Sequence, residues 1–395
     1  MMKLKKYIFG VALGTLSLTM ASCYNADTDF PDFEGGTTAY FAYQDPVRTV
    51  VLGNDVYDNS LDKAHKIQIW STMGGAYGGR DATVSFVVDT TLCNNLYFVD
   101  EGGNPAGKVT PMPQKFYNLA SDVITYNGDP RGYVEVQLTD AFFADPKSVE
   151  NTYVIPLLMT DAKGIDHILT GTPREGLSPS RTNVEDWDVP AKDYVLYCVK
   201  YMNPWQGKYI RRGADQVTEN GVTTSIIRKD TTLVNTDVEH YKENPVNHKD
   251  EICGITTKNM TQSIFSVTVR RAANKASVPC KLTLTFDNNK CTISSDDTDV
   301  TATGTGEFIE NGSGLPAYKD YQWAGIGEPD KRDILRLAYT VTINKGKVIG
   351  KDDKGNDILL ENDIQVTTAD TLVIQTRESN KREFFTPKYV TPANP

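Results

Sequence analysis

Tyr133-Val134-Glu135-Val136-Gln137-Leu138 decides the fold class. Val134, Val136 and Leu138 share one face of an extended chain, and Glu135 and Gln137 share the other. That period of two is the mark of a half-buried strand. It recurs in Lys66-Ile67-Gln68-Ile69-Trp70 and in Thr83-Val84-Ser85-Phe86-Val87-Val88. The longest case is residues 334–343, where Leu335, Leu337, Tyr339, Val341 and Ile343 fall on one face. Shorter apolar runs at 39–43, 49–52, 153–157, 194–201, 262–271, 281–286, 291–294, 371–375 and 384–390 read as further strands. Pro156 lacks a backbone N–H, which predicts an edge strand or a bulge there. Asn127-Gly128-Asp129-Pro130-Arg131-Gly132 is turn chemistry. Two short helices fit near 91–96 and 140–143. No internal repeat or long helical period is present, which argues against helical solenoids and α/β barrels. The fold class is therefore all-β, with two antiparallel β-sandwich-type domains in tandem after a lipidated tether.

The tether is read from the N-terminus. Lys3, Lys5 and Lys6 precede the apolar run Tyr7-Ile8-Phe9-Gly10-Val11-Ala12-Leu13, and Met20-Ala21-Ser22-Cys23 follows. A basic segment, a short apolar core and small residues before a cut are the parts of a secretory signal peptide. The core is too short and too broken by Gly14, Thr15, Ser17 and Thr19 to read as a membrane span. Ala21-Ser22-Cys23 is similar to a bacterial lipobox, in which the cysteine is acylated. The alternative is an ordinary signal with a chance cysteine. These readings divide the chain into a signal peptide (1–22), a lipidated tether (23–36), an N-terminal domain (37–165), a linker rich in Gly and Pro (166–192) and a C-terminal domain (193–395).

A formal net charge of −10 disfavours nucleic acid as a partner. A hydrophobic content of 39% with 20 tyrosines is too rich for a disordered chain. Besides Cys23, the cysteines are Cys93, Cys198, Cys253, Cys280 and Cys291, none in a CxxC pair. About a turn at Asn288-Asn289, Cys291 faces Phe286 and not Cys280, so these thiols read as small buried apolar groups. No GxSxG, HExxH or Walker motif is present. His65, His167, His240 and His248 lack metal-ligand spacing, and no cofactor is expected. Asp296-Asp297-Thr298-Asp299 and Asp352-Asp353-Lys354-Gly355-Asn356-Asp357 read as hairpin turns; calcium ligation is the alternative. No catalytic residue is assigned, because the acids offer many carboxylate pairs and no way to choose one.

The aromatic residues carry more information. Trp70 lies on the Lys66/Gln68 face of its strand, opposite Ile67 and Ile69. Trp205 follows Asn203-Pro204 at a strand end, and Tyr321 and Trp323 sit in a Gly/Pro-rich loop. Flat rings with amide and carboxylate neighbours suit sugar, because a ring packs on the apolar face of a pyranose while polar groups meet its hydroxyls. Trp323, Tyr321, Trp205 and Trp70 are the candidates, with the C-terminal domain favoured. The competing reading for each ring is cover for a core edge.

The lipobox at Cys23, Tyr40-Phe41-Ala42-Tyr43-Gln44, Tyr153-Val154-Ile155-Pro156-Leu157, the segment Tyr201 to Gly207 and Arg382-Glu383-Phe384-Phe385 together resemble a family of Bacteroidota surface lipoproteins. The N-terminal part resembles the domain family DUF1735 and the C-terminal part DUF4361. The resemblance implies a non-catalytic protein of the outer membrane, lipid-anchored and facing the cell exterior. It further implies binding of oligosaccharide or polysaccharide beside a SusC/SusD-type importer. The alternatives are a structural or adhesive fimbrial-type subunit and a glycosidase without a recognisable motif.

Overall fold

The computed structural model describes residues 33–228, 251–271, 275–315, 332–379 and 383–392. Within them the alternating segments pair as their periodicity requires. Arg131–Leu138 runs antiparallel to Lys66–Gly74, with Tyr133 opposite Trp70 and Val134 opposite Ile69. Val134, Val136, Ile67 and Ile69 are buried, while Lys66 and Glu135 pair on the outer face at 2.7 Å. Both strands belong to a twelve-stranded sheet. The sheet curls over its inner face, so that the Tyr197 hydroxyl donates to the Gln68 carbonyl at 3.1 Å. Inside lie Ile124, Tyr126, Ile155, Leu157 and Val199.

Tyr153–Lys163 and Tyr194–Met202 carry a second core on their opposite face, with Leu92, Leu96, Trp187 and Phe385. Apolar cover on both faces explains why Tyr194 to Val199 reads as an unbroken apolar run. This strand corrects the expected domain boundary. Tyr194–Met202 pairs antiparallel with Tyr153–Lys163 and parallel with Pro46–Val51, so it belongs to the first domain. Residues 166–192 also pack there: His167–Ile168 pairs with Thr38–Tyr40, and Trp187 is buried. Their strands are two or three residues long, too short to show a period. The C-terminal tail returns as well, Glu383–Phe384 pairing with Pro46–Val51 and Lys388–Tyr389 with Leu96–Val99.

Pro156 does not mark an edge, since its strand pairs on both sides. Its carbonyl accepts from the Asp89 N–H, beyond the ladder with Asp81–Val88 that starts at Leu157 and Val88. The missing N–H therefore falls where that ladder has ended.

The second domain is a closed antiparallel barrel of eight strands: Gly207–Glu219, Glu251–Thr257, Gln262–Val269, Val278–Asp287, Lys290–Ser294, Val300–Ile309, Ile334–Ile343 and Ile364–Thr376. The last pairs with the first along the whole of that strand, from Lys208 opposite Thr376 to Glu219 opposite Ile364. Eight strands leave an interior that side chains can fill. Leu335, Leu337, Tyr339, Val341 and Ile343 all point into it. Cys291 faces Phe286, and all five described cysteines are free and buried.

The barrel also encloses charge. Arg211 bonds Asp370 at 2.8 Å, Glu251 at 2.9 Å and the Tyr339 hydroxyl at 3.0 Å. Arg228 grips Asp215 through two bonds, 2.9 and 2.8 Å, and also reaches Asp370. Burial opposes ionisation of Asp215, but the Arg228 guanidinium outweighs it and holds the carboxyl below its usual range. Four buried charges are tolerated because each has an opposite partner.

The domains meet at two clamps. The buried Asn203 amide donates to the Asn259 and Gln262 carbonyls, each at 3.0 Å, and to Ser263 at 2.9 Å. Arg377 donates to the Asn54 carbonyl at 2.8 Å and to the Gln206 carbonyl at 2.9 Å, and pairs with Asp333 at 2.7 Å.

Asp45, whose carbonyl accepts from the returning Phe385 N–H, has a buried carboxyl oxygen without a partner among the described residues. Burial pushes this carboxyl up to about 7. With the folded value raised, protonated Asp45 is favoured in the fold, so stability falls as pH climbs from about 4 to about 7. At about 1.4 kcal/mol per pKa unit, Asp45→Asn should add roughly 2–4 kcal/mol at pH 8 and almost nothing near pH 4. Denaturant unfolding at the two pH values checks this; equal gains at both would contradict it.

Candidate functional site

The outer face of Lys66–Gly74 and Arg131–Leu138 gathers the exposed rings. Ile67, Ile69 and Ser71 point inward, so strand geometry sends Gln68, Trp70 and Thr72 outward. Trp70 and Tyr133 are each 44% exposed. Their ring centroids lie 4.6 Å apart at 42°. The Arg131 guanidinium stands 5.5 Å from the Trp70 ring centroid, a cation–π contact. Arg131 is steadied at the turn, where its N–H donates to the Asp129 carboxylate at 2.8 Å.

The row continues across the sheet. Thr125 stands opposite Tyr133, and Thr83 opposite Thr125. At about 4.8 Å between strands, Trp70 to Thr83 covers about 14 Å. Gln68 faces Glu135 in the adjacent row. Two rings, a line of hydroxyls and an amide–carboxylate pair thus share one open surface. It offers apolar stacking and hydrogen bonds in both directions. Among the described residues no group of three or more His, Cys, Asp or Glu is placed to hold a metal. The thiols are poor nucleophiles; burial pushes Cys198 up to about 12.

Of the sequence candidates, Trp70 is on this face. Trp205 is not an open platform: it is 7% exposed and stacks on Phe286 with centroids 3.7 Å apart at 4°. The turn is held inward, with the Trp205 N–H on Asn203 at 3.2 Å and the Trp205 carbonyl accepting from Tyr209 at 2.7 Å. Tyr321 and Trp323 lie outside the described residues, as do Cys23, His240 and His248. The exposed ring pair is on the first domain, whereas the second was favoured from sequence. Tyr133, the ring beside Trp70, was not among the sequence candidates; the signal was its place on the Glu135/Gln137 face. The Asp352 loop is a hairpin turn, its carboxylate accepting from the Lys354 and Asn356 N–H groups at 2.9 and 2.8 Å.

The family model of a domain of unknown function, DUF5627, matches residues 204–378. A family model of an N-terminal domain matches residues 33–166. The expected DUF4361-like second domain is thereby corrected to DUF5627. The chain is similar to a Bacteroides ovatus protein of unknown function solved by structural genomics, at 35% identity and a TM-score of 0.72, covering 91% of this chain and 100% of that one. More distant are a multidomain Bacteroides ovatus protein including DUF1735, at 11% identity, TM-score 0.37 and coverage of 88% and 99%, and an auxiliary nutrient binding protein from Bacteroides thetaiotaomicron, at 12%, 0.36 and coverage of 83% and 90%. No curated protein matches the chain.

Trp205→Ala should destabilise the fold by about 3–5 kcal/mol, the cost of removing a buried aromatic. Chemical denaturation measures it; an unchanged unfolding midpoint would return Trp205 to the exposed candidates.

Proposed function

We propose that this chain, which belongs to the family of the Bacteroides ovatus protein of unknown function, is a non-catalytic, lipid-anchored glycan-binding protein of the cell surface. The observation that carries the reading is the exposed Trp70–Tyr133 pair, 4.6 Å between centroids, on a face otherwise furnished with hydroxyls, an amide and a carboxylate. Large rings normally go inside. Two of them side by side on a solvated sheet face mark a binding surface. A pyranose presents an apolar face to such rings and a rim of hydroxyls to Gln68, Glu135 and Thr125. Glycoside hydrolysis needs two carboxyl groups about 5–9.5 Å apart; the carboxylate named on this face is Glu135, and it pairs with Lys66. In this reading the lipid on Cys23 anchors the protein to the outer membrane, and the captured oligosaccharide or polysaccharide passes to a SusC/SusD-type importer.

The soluble chain from residue 24 should bind at least one polysaccharide in a broad glycan array. For the strongest, Trp70→Ala and Tyr133→Ala should each weaken binding at least tenfold, about 1.4 kcal/mol. Exposed substitutions change stability by only about 0.5 kcal/mol, so melting temperatures should hold. Unchanged affinity in both variants, or no glycan bound at all, sinks the proposal. Cys23→Ala in the full chain should move the protein out of the membrane fraction; a variant that stays there and still incorporates a fatty-acid probe refutes the anchor.

A further inference from the structure

A concavity of about 370 Å³ lies where the two domains meet. That is within the range of small-molecule sites, roughly 300–1,000 Å³. Asn54 comes from the first domain, Trp205 from the junction, and Asn289, Phe308 and Glu310 from the barrel. Its walls are fixed relative to one another. Arg377 holds the Asn54 carbonyl at 2.8 Å while paired to Asp333 of the barrel at 2.7 Å.

The polar groups here have capacity to spare. Glu310 is 3.4 Å from the Asn54 amide and makes no other hydrogen bond or ion pair among the described residues. The Asn289 side chain has no partner among them; only its carbonyl is used, by the Phe308 N–H at 2.7 Å. The Trp205 indole N–H likewise has no acceptor among the described residues. Trp205 and Phe308 supply apolar wall. Carboxamides both donate to and accept from hydroxyls, and a carboxylate accepts from two. Among the described residues no cationic side chain lines the cavity, though the Lys63 ammonium donates to the Asn54 amide oxygen at 3.1 Å, and Glu310 disfavours anions.

We propose that this cavity is a second subsite, which takes one neutral glycosyl unit between the domains. It stands on its own lining and does not depend on the Trp70 face. Trp205 then acts as a fixed wall of the cavity and not as an open stacking platform.

The test uses the soluble mature chain carrying Trp70→Ala and Tyr133→Ala, which lacks the outer rings. Methyl α- and β-glycosides of glucose, galactose, mannose, xylose and arabinose are the probes, followed by ligand-observed saturation-transfer NMR. At least one glycoside should bind. Adding Glu310→Ala and Asn289→Ala, neither of which removes a buried contact, should weaken it at least about tenfold with melting unchanged. The proposal is overturned if no glycoside binds, or if binding survives the two barrel substitutions. Glycan capture by the unsubstituted chain alone would leave the outer face standing and remove the junction subsite. Glycoside binding without any role for Trp70 would do the reverse.

Discussion

Everything on the candidate face depends on one register, Tyr133 opposite Trp70. A slip of the Tyr133 strand by one residue would drive Tyr133 into the core, put Val134 and Val136 in water and part the two rings. Burial of each such aliphatic side chain is worth about 1.5–3 kcal/mol, so the inward residues hold the outward ones in place. Gly132 belongs to the same constraint. A Cβ there would meet Ile124 Cγ2 at 2.7 Å and the Thr125 carbonyl oxygen at 2.8 Å. Glycine lets the Tyr133 strand lie close against Val123–Asn127, which brings Thr125 beside Tyr133. The rings are therefore mounted on rigid, paired strands and not on a loop.

The second constraint is at the junction. Tyr194–Met202 ends its pairing in the first sheet, and Gly207–Glu219 opens the barrel after a short turn. Asn203 and Arg377 fill that turn with hydrogen bonds to both sides. The tail then leaves the barrel and pairs with the first sheet again. Two crossings and two clamps tie the domains into one unit. Trp205 is the wall they share, which explains why a tryptophan at a strand end is buried.

The sequence was a good guide wherever one face of a strand meets water. Ile334–Ile343 forms as read, with its five apolar residues inside. Trp70 points outward as its polar neighbours indicated, and Cys291 faces Phe286. Reading failed where the deciding partner is distant in sequence. Tyr194–Met202 is apolar on both faces, and nothing local tells which sheet covers it. Barrel closure is a ladder between Gly207–Glu219 and Ile364–Thr376, from opposite ends of the domain. Arg211, Arg228, Asp215 and Asp370 look like surface residues until closure brings opposite charges together inside. Phe286, which buries Trp205, arrives from a strand far along the chain. The Tyr133–Trp70 pairing was hidden for the same reason, although the outward parity of each ring was legible.

The central claim is that Trp70 meets the ligand. The chain has four tryptophans, Trp70, Trp187, Trp205 and Trp323, so its indole ¹⁵N–¹H spectrum holds four signals, assignable by single Trp→Phe replacements. Titrating the mature chain with the glycan it binds most strongly should shift the Trp70 signal while that of the buried Trp187 stays in place. Saturation that leaves Trp70 unmoved and shifts another indole would contradict the account.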